Sequence, residues 1–508
     1  MINTPSIDWF GFSPILALTG ASFCALLCAV LVPRTARRVV AAGCSLAGFT
    51  AGLVLAIWLY VDSADGHTIV AGAFYRDRWT MLGQIILCCI GIATTLLAVE
   101  HVPGWGRNAD LERRDDHVAE FFALLLASAA GMTFFVGAAN LMVLFLSLEW
   151  FSIALYVMCA IDYDLEGALE AGLKYLVVGS FGAATLLFGS ALVYGATGKI
   201  SFDGIASAIG SHGLTGDTFV VTGIALIVAG LGFKMSAAPF HMWTPDVYEG
   251  APTTVTAWMS SATKVAALLL TLRVLVTAFP QEAHLWTVAA AVLACASLAI
   301  GNLGAIAQSN VKRILAYSSV SHAGFMLIAI AANNALGARA LLFYLLPYAA
   351  MSLGSFAVVA ARERELGRPV AVDDLSGFGW ERPLLGLSFW LFLFGFAGFP
   401  LTGGFWAKIY VFSAAVDRGW NWLVVVGVVA TMVSLVYYLR LVFALYQRAD
   451  VAAAPIPRAT PAVAGGSPPA ERLLGTAVFV CVVVTIGTFV FVGPIADVAK
   501  HATAFLPF

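Results

Sequence analysis

Apolar residues run through this chain in long unbroken stretches, and polar residues gather in short segments between them. The stretches lie near residues 10–32, 40–61, 79–99, 119–136, 138–160, 172–195, 218–239, 253–279, 285–306, 314–332, 338–361, 384–413, 421–446 and 473–496. Each approaches or exceeds the roughly 20 apolar residues that a helix needs to cross a hydrocarbon layer. None alternates polar and apolar positions as the strands of a membrane barrel must. The pattern therefore predicts an all-α membrane protein with about fourteen transmembrane helices and no strands. Glycine or proline falls at several of the connections (Pro33, Gly104, Gly137, Pro280, Pro383), where helices have to stop.

Composition removes most other classes. Of 508 residues, 61% are hydrophobic and only 11% charged, and the mean hydropathy is +0.91. Soluble domains carry about 25% charged residues, so the polar surface that a water-soluble enzyme of this size needs is missing. The net charge of −2 provides no basic field for nucleic acid. Cys24, Cys28, Cys44, Cys88, Cys89, Cys159, Cys295 and Cys481 all lie inside apolar runs. They lack companion ligands at metal-site spacing and read as small apolar residues. No iron–sulfur, haem or nucleotide signature is present. No basic segment precedes the first run, so Met1–Val32 reads as a retained first helix rather than a cleaved signal.

Orientation follows from lysine and arginine in the loops. Alternate loops, beginning with Arg34, Arg37 and Arg38, hold fifteen of them, against five (Arg76, Arg78, Lys199, Arg418, Lys500) on the other side. The basic loops are expected to be cytoplasmic, and both termini to face outward. Residues 449–469, rich in alanine and proline, read as an irregular cytoplasmic linker.

A few charges remain inside the apolar runs. Glu149 is the one acid deep within such a stretch, and the bases are Lys234, Lys264 and Lys408, with Lys174 about one turn into its helix. Burying an ionisable group in hydrocarbon costs at least about 2.5–3.5 kcal/mol, so the set points to function. The choice of base sharpens this. The chain has 20 arginines and only seven lysines, yet all four of these intramembrane bases are lysine. Arginine suits a permanent ion pair, whereas a desolvated lysine can release its proton. Lysines that load and unload protons fit the pattern better than a scaffold does, although Glu149 could also simply neutralise one lysine as a structural pair. His322, flanked by Ser318, Ser319 and Ser321, is either a relay or a satisfied core histidine.

Two spans are punctuated. Pro239 follows Lys234 by about one turn, and the run from Gly395 to Lys408 packs Gly398, Pro400, Gly403 and Gly404 ahead of the lysine. Proline removes a backbone donor and clashes with the preceding turn. Freed backbone groups at membrane depth survive only beside a wet cavity or within packed protein. Two breaks at corresponding places in two halves are the usual mark of an ion site built on an inverted repeat, and two sets of five spans would be inverted because five is odd.

The run Phe233-Lys234-Met-Ser-Ala-Ala-Pro239-Phe240-His241-Met-Trp243-Thr-Pro245-Asp246-Val-Tyr248-Glu249-Gly250-Ala-Pro252-Thr253, with Ser261-Ala-Thr-Lys264, resembles subunit N of bacterial proton-pumping NADH:quinone oxidoreductase, respiratory complex I. So do Leu173-Lys174-Tyr175, Gly301–Gln308, Lys312–Ser319 and Gly403–Tyr410, and the likeness covers roughly residues 120–450. It implies two inverted five-helix repeats (119–280, helices 4–8; 281–448, helices 9–13) after a three-helix segment (1–118), with helices 7 and 12 discontinuous. A linker and helix 14 (449–508) would follow. In that family Glu149 and Lys174 would modulate the proton affinity of Lys234, Lys264 and His322 would form a central axis, and Lys408 would lead to the other face. The chain itself would carry no cofactor and no metal. Flavin, iron–sulfur clusters and quinone would belong to partner subunits, and its contacts would be neighbouring antiporter-like and small membrane-arm subunits and lipid in the bacterial inner membrane.

Two rivals remain at this stage. An Mrp-like cation/proton antiporter shares the lysine positions but not usually the run from Pro239 to Pro252, and it would not copurify with flavin and iron–sulfur subunits. A pumping-inactive spacer of the membrane arm would tolerate alanine at Lys234 or Lys408.

Overall fold

The computed structural model describes residues 7–63, 66–100, 117–163, 165–447 and 471–508. The expected linker at 449–469 lies outside them. The described residues form a helical bundle. Its first part is α1 (Ser13–Leu31), α2 (Arg34–Asp62), α3 (Arg78–Glu100), α4 (Val118–Val136), α5 (Leu141–Cys159), α6 (Glu166–Thr197) and α7 (Phe202–Ser211). Next come α8 (Thr218–Lys234), α9 (Trp243–Gly250), α10 (Thr253–Trp258), a π turn (Met259–Thr263) and α11 (Lys264–Ala278). The second part has α12 (Ala283–Ile306), α13 (Val311–Ala332), α14 (Ala335–Leu366), α15 (Phe378–Glu381), α16 (Pro383–Ala397), α17 (Gly403–Asp417), α18 (Asn421–Tyr446), α19 (Arg472–Val490) and α20 (Val492–Thr503). Among the described residues, twelve helical segments are long and apolar enough to cross a membrane. Two shorter apolar helices, α8 and α16, each end at a break and are followed by a second helix. Together they account for the fourteen predicted spans.

The expectation of no strands is corrected in one place. Residues His67–Ile69 (β1) and Phe74–Arg76 (β2) pair antiparallel in the connection between α2 and α3. The turn uses positive φ at Val70, Ala71 and Gly72. Three-residue strands without an Asn-Gly signal are too short to show in the hydrophobic pattern.

Helix ends explain how the bundle is tied. Asn140 caps α5, its side chain accepting from Val143 N at 2.7 Å, and Asn310 caps α13, accepting from Arg313 N at 3.2 Å. The 32-residue helices α6 and α14 both stop at a glycine with positive φ, Gly198 and Gly367. Just beyond, the chain returns to the cap. Leu141 N donates to Ile200 O and Phe202 N to Ala139 O; Val311 N donates to Val370 O and Val372 N to Ser309 O. The two clasps sit at opposite ends of the bundle. The first joins the start of α5 to the end of α6, whereas the start of α13 reaches the start of α6 through the ion pairs of Arg313 and Lys174 with Asp246.

Both breaks are closed by protein groups. After α8, Trp243 Nε1 donates to Phe233 O at 3.0 Å, and Ala238 N donates to Ser297 Oγ at 2.8 Å. After α16, Gly398 (φ +85°) and Leu401 (φ +76°) turn the chain. The returning helix then comes so near that a Cβ on Gly404 would stand 1.9 Å from Gly395 O. Only glycine fits there.

Candidate functional site

Lys234, Lys264, Lys408 and His322 are brought to the interior of the bundle, all at most 5% exposed. Lys234, the last residue of α8, donates to Ser152 Oγ of α5 at 2.7 Å and to Tyr175 OH of α6 at 3.0 Å. Its amine also lies 4.6 Å from the Phe151 ring and 5.0 Å from the Tyr175 ring. Lys264 starts α11 directly after the π turn. It donates to Met235 O, the residue next to Lys234, at 3.0 Å, and to Ser319 O of α13 at 2.7 Å. Lys408 of α17 donates to Ala397 O, freed by the break after α16, at 3.0 Å, and to Thr431 Oγ1 of α18 at 3.4 Å. Its amine sits 4.5 Å from the Phe325 ring.

These three amines share one arrangement. Each has two neutral oxygen acceptors and, among the described residues, no carboxylate within 4.0 Å. Two acceptors satisfy both N–H groups of a neutral amine, while an ammonium keeps a third donor free. The lysines at the edge differ. Lys174 is 43% exposed and pairs with Glu170 at 2.7 Å and Asp246 at 2.9 Å. Lys312 donates to Ala251 O and Thr253 Oγ1 and lies 3.6 Å from Glu363. Lys174 therefore stands apart from the three interior amines, although its backbone lies within α6. Its position near the start of α6 puts its amine in a network that runs through Asp246 to Arg313 and Glu249.

Glu149 is half-buried, and its Oε1 has no hydrogen-bond partner. It makes no ion pair within 4.0 Å among the described residues, so it does not act as a fixed neutraliser. It stands one turn before Ser152, which Lys234 grips. His322 bonds Tyr344 OH through Nδ1 at 2.7 Å and Tyr438 OH through Nε2 at 3.1 Å. Tyr438 continues to Ser318 Oγ at 2.5 Å. Tyr348 OH donates to Ser260 O at 3.2 Å and bonds the Ser319 hydroxyl at 3.1 Å. Hydroxyls therefore fill the space between Lys264 and His322, while Phe325 lies between His322 and Lys408. Pro239 and Pro400 both lie in the connections between paired helices, clear of the amines' hydrogen bonds.

The reading that every intramembrane base is lysine is corrected by Arg273. It is buried in α11 and bonds Asp77 at 2.6 and 2.8 Å and Thr80 Oγ1 at 2.7 Å. Its charge is matched by the Asp77 carboxylate, both of whose oxygens accept from Nη2, while Nη1 serves Thr80. Asp77 stands 196 residues earlier in the chain, so no local spacing could announce the pair. Beyond Ser318, Ser319 and Ser321, which flank His322 in the sequence, the tyrosines and serines around the amines carry no signal of their own, because a hydroxyl in an apolar run is too common to single out. Among the described residues there is no group of three or more His, Cys, Asp or Glu placed to hold a metal ion.

Comparison with known proteins places this geometry. The family model described as "NADH:quinone oxidoreductase/Mrp antiporter, TM" matches residues 138–434, more than half of the chain. NADH-quinone oxidoreductase subunit N 2 of Roseiflexus castenholzii is 36% identical, over 90% of this chain and 91% of its own length. The subunit N of Salinibacter ruber is 40% identical over 81% and 82%. A chain of respiratory complex I from Thermus thermophilus superposes with a TM-score of 0.75 at 29% identity, covering 95% of this chain and 98% of that one. A chain of the Mrp complex from Dietzia reaches a TM-score of 0.81 at 23% identity, covering 97% of each chain. At that identity the likeness extends to the fold alone.

Proposed function

The chain belongs to the NADH:quinone oxidoreductase/Mrp antiporter transmembrane family, as a subunit N of NADH-quinone oxidoreductase, and from that premise we propose that it moves protons along its buried amines while other subunits reduce quinone. It is a multi-span membrane subunit of a translocating enzyme and associates with other membrane-arm subunits. Flavin, iron–sulfur clusters and quinone belong to those partners. The membrane is the bacterial inner membrane, with the Lys174–Arg313 end cytoplasmic and both termini outside.

Residues 119–280 and 281–448 act as two inverted units of one scaffold; the matching clasps at Asn140 and Asn310, at opposite ends of the bundle, support this. Protons enter near Lys174 and Asp246, reach Lys234, pass to Lys264 across the Met235 peptide region with intervening water, and continue by the Ser319–Tyr348 and Ser318–Tyr438 hydroxyls to His322. Lys408 delivers them to the far side. Glu149 couples the route to a neighbouring subunit. Moving one unit charge to about 4 Å from another changes its energy by about 4 kcal/mol at an effective dielectric constant of ~20, enough to switch whether Lys234 holds a proton.

The observation that carries this reading is the set of three buried lysines held by neutral acceptors alone. Assembled complex bearing Lys234→Ala or Lys408→Ala, reconstituted in vesicles, is expected to lose most of its NADH-driven proton translocation. Retention of pumping and quinone reduction in both variants would leave the chain a spacer.

A further inference from the structure

One face of α14 carries polar groups over most of its length. Tyr344, Tyr348, Ser352, Ser355 and Glu363 follow each other at helical spacing, with Val359 completing the stripe. At 1.5 Å per residue the stripe covers roughly 28 Å. At one end Tyr344 holds His322. In the middle, Tyr348 bonds Ser319, whose carbonyl holds Lys264, and Ser352 Oγ donates to Ser260 Oγ at 2.7 Å. Leu315, Ser318, Ser319, Tyr348, Ser352 and Ser355 line a closely packed polar seam at this level, with no room for a water molecule in this conformation. Ser355 Oγ, on that seam, is fully buried and has no partner.

At the other end stands Glu363, its side chain 19% exposed. It bonds Thr253 Oγ1 and faces Lys312. The next threonine, Thr254, is buried with an unpartnered hydroxyl, as is Tyr248. Buried hydroxyls left without partners are rare in packed protein, and here they include Ser355 on α14 and Thr254, the neighbour of the threonine that Glu363 bonds. Plain interhelical glue would pair them. Orphan hydroxyls along a polar seam suit a route that fills with water when the helices part.

We infer that the α14 stripe is a second loading route, which brings protons from Glu363 at the Lys174–Arg313 end directly to Lys264 without passing Lys234. The step balances. Glu363 takes a proton from bulk water and gives it to the water and hydroxyl file. Each hydroxyl accepts one proton and passes on its own, and a neutral Lys264 amine ends as the ammonium. Glu363 is left as carboxylate for the next proton. The inference rests on the proton-moving reading above, and the test separates the two.

Whole complex is purified with Glu363→Gln, Glu363→Asp, Ser355→Val or Lys264→Ala and reconstituted in vesicles, with NADH oxidation by an artificial acceptor confirming intact assembly. Glu363→Gln is expected to slow proton translocation at least threefold, Glu363→Asp to restore at least half of the loss, and Ser355→Val, which removes the unpartnered hydroxyl, to slow it comparably. Normal pumping in Glu363→Gln and Ser355→Val beside a defective Lys264→Ala would overturn the inference and leave the broader reading standing. A Glu363→Gln loss that Glu363→Asp does not restore would mark a structural bridge to Lys312 and overturn it as well. Normal pumping in Lys264→Ala would remove the broader reading itself.

Discussion

The two halves of the membrane domain mount different chemistry on matching backbone devices. Nine residues after the Asn140 cap stands Glu149, and nine after the Asn310 cap stands Ser319; twelve residues after each cap stand Ser152 and His322. Twenty-three residues before the closing glycines Gly198 and Gly367 stand Tyr175 and Tyr344. In the first half Ser152 and Tyr175 grip an inserted lysine, Lys234. In the second half the corresponding histidine and tyrosine bond each other directly, 2.7 Å apart. The helix that ends in Lys234 in one half ends in Ala397 in the other, and the second amine, Lys408, arrives from beyond the break. What is repeated is a slot between three helices; what varies is which titratable side chain occupies it. A lysine needs two acceptors and a histidine needs two hydroxyls, and each half provides what its own occupant requires.

That contrast can be broken at the helix interruptions first. The second half relies on backbone touching backbone, Gly404 against Gly395, while the first relies on side-chain bonds. Gly404→Ala is expected to cost about 3 kcal/mol or more, since overpacking against a carbonyl has no easy relief. Trp243→Phe, which loses the bond to Phe233 O, should cost about 1–2 kcal/mol. Thermal unfolding of the purified complex orders the two, and equal costs would mean that both breaks are held in the same way.

Arg273 tests whether fixed and mobile charges are separate. Arg273→Met leaves the buried Asp77 carboxylate without its counter-charge, with Thr80 N as its remaining donor, and is expected to destabilise by about 3–5 kcal/mol, whereas Arg273→Met with Asp77→Leu should recover most of that loss. Denaturation midpoints of the single and double variants decide, and a double variant as unstable as the single would show that the pair does more than neutralise itself. Within the slots, His322→Ala should slow pumping about tenfold as a lost proton carrier. Ser152→Ala, which removes one hydrogen bond, should slow it only about threefold. Initial acidification rates in vesicles give both, and the reverse order would break the comparison of the occupants. The smallest effect is also the cleanest test of the scaffold: Asn140→Ala and Asn310→Ala should each cost about 1 kcal/mol, and a cost at one cap with none at the other would argue against equivalent clasps.

Much of this was legible in the sequence because membrane burial writes itself in long apolar runs. The fourteen spans, the interruptions at Pro239 and Pro400 and the positions of Lys234, Lys264, His322 and Lys408 are all visible as departures from those runs. Sequence spacing does not show that the long flexible side chain of Lys174 turns to Glu170 and Asp246. Arg273 was passed over since it lies five residues from a helix end and its partner is remote. The hydroxyls of Ser152 and Tyr175 that hold Lys234, and that of Tyr348 beside Ser319, acquire meaning only when the fold sets them beside a lysine or the residue that grips one.

The most direct test is the number of protons moved per electron by complex carrying Lys264→Ala, measured in sealed vesicles at matched rates of quinone reduction. If the buried amines carry protons, the ratio falls below that of the unmodified complex while electrons still flow. An unchanged ratio would contradict the account.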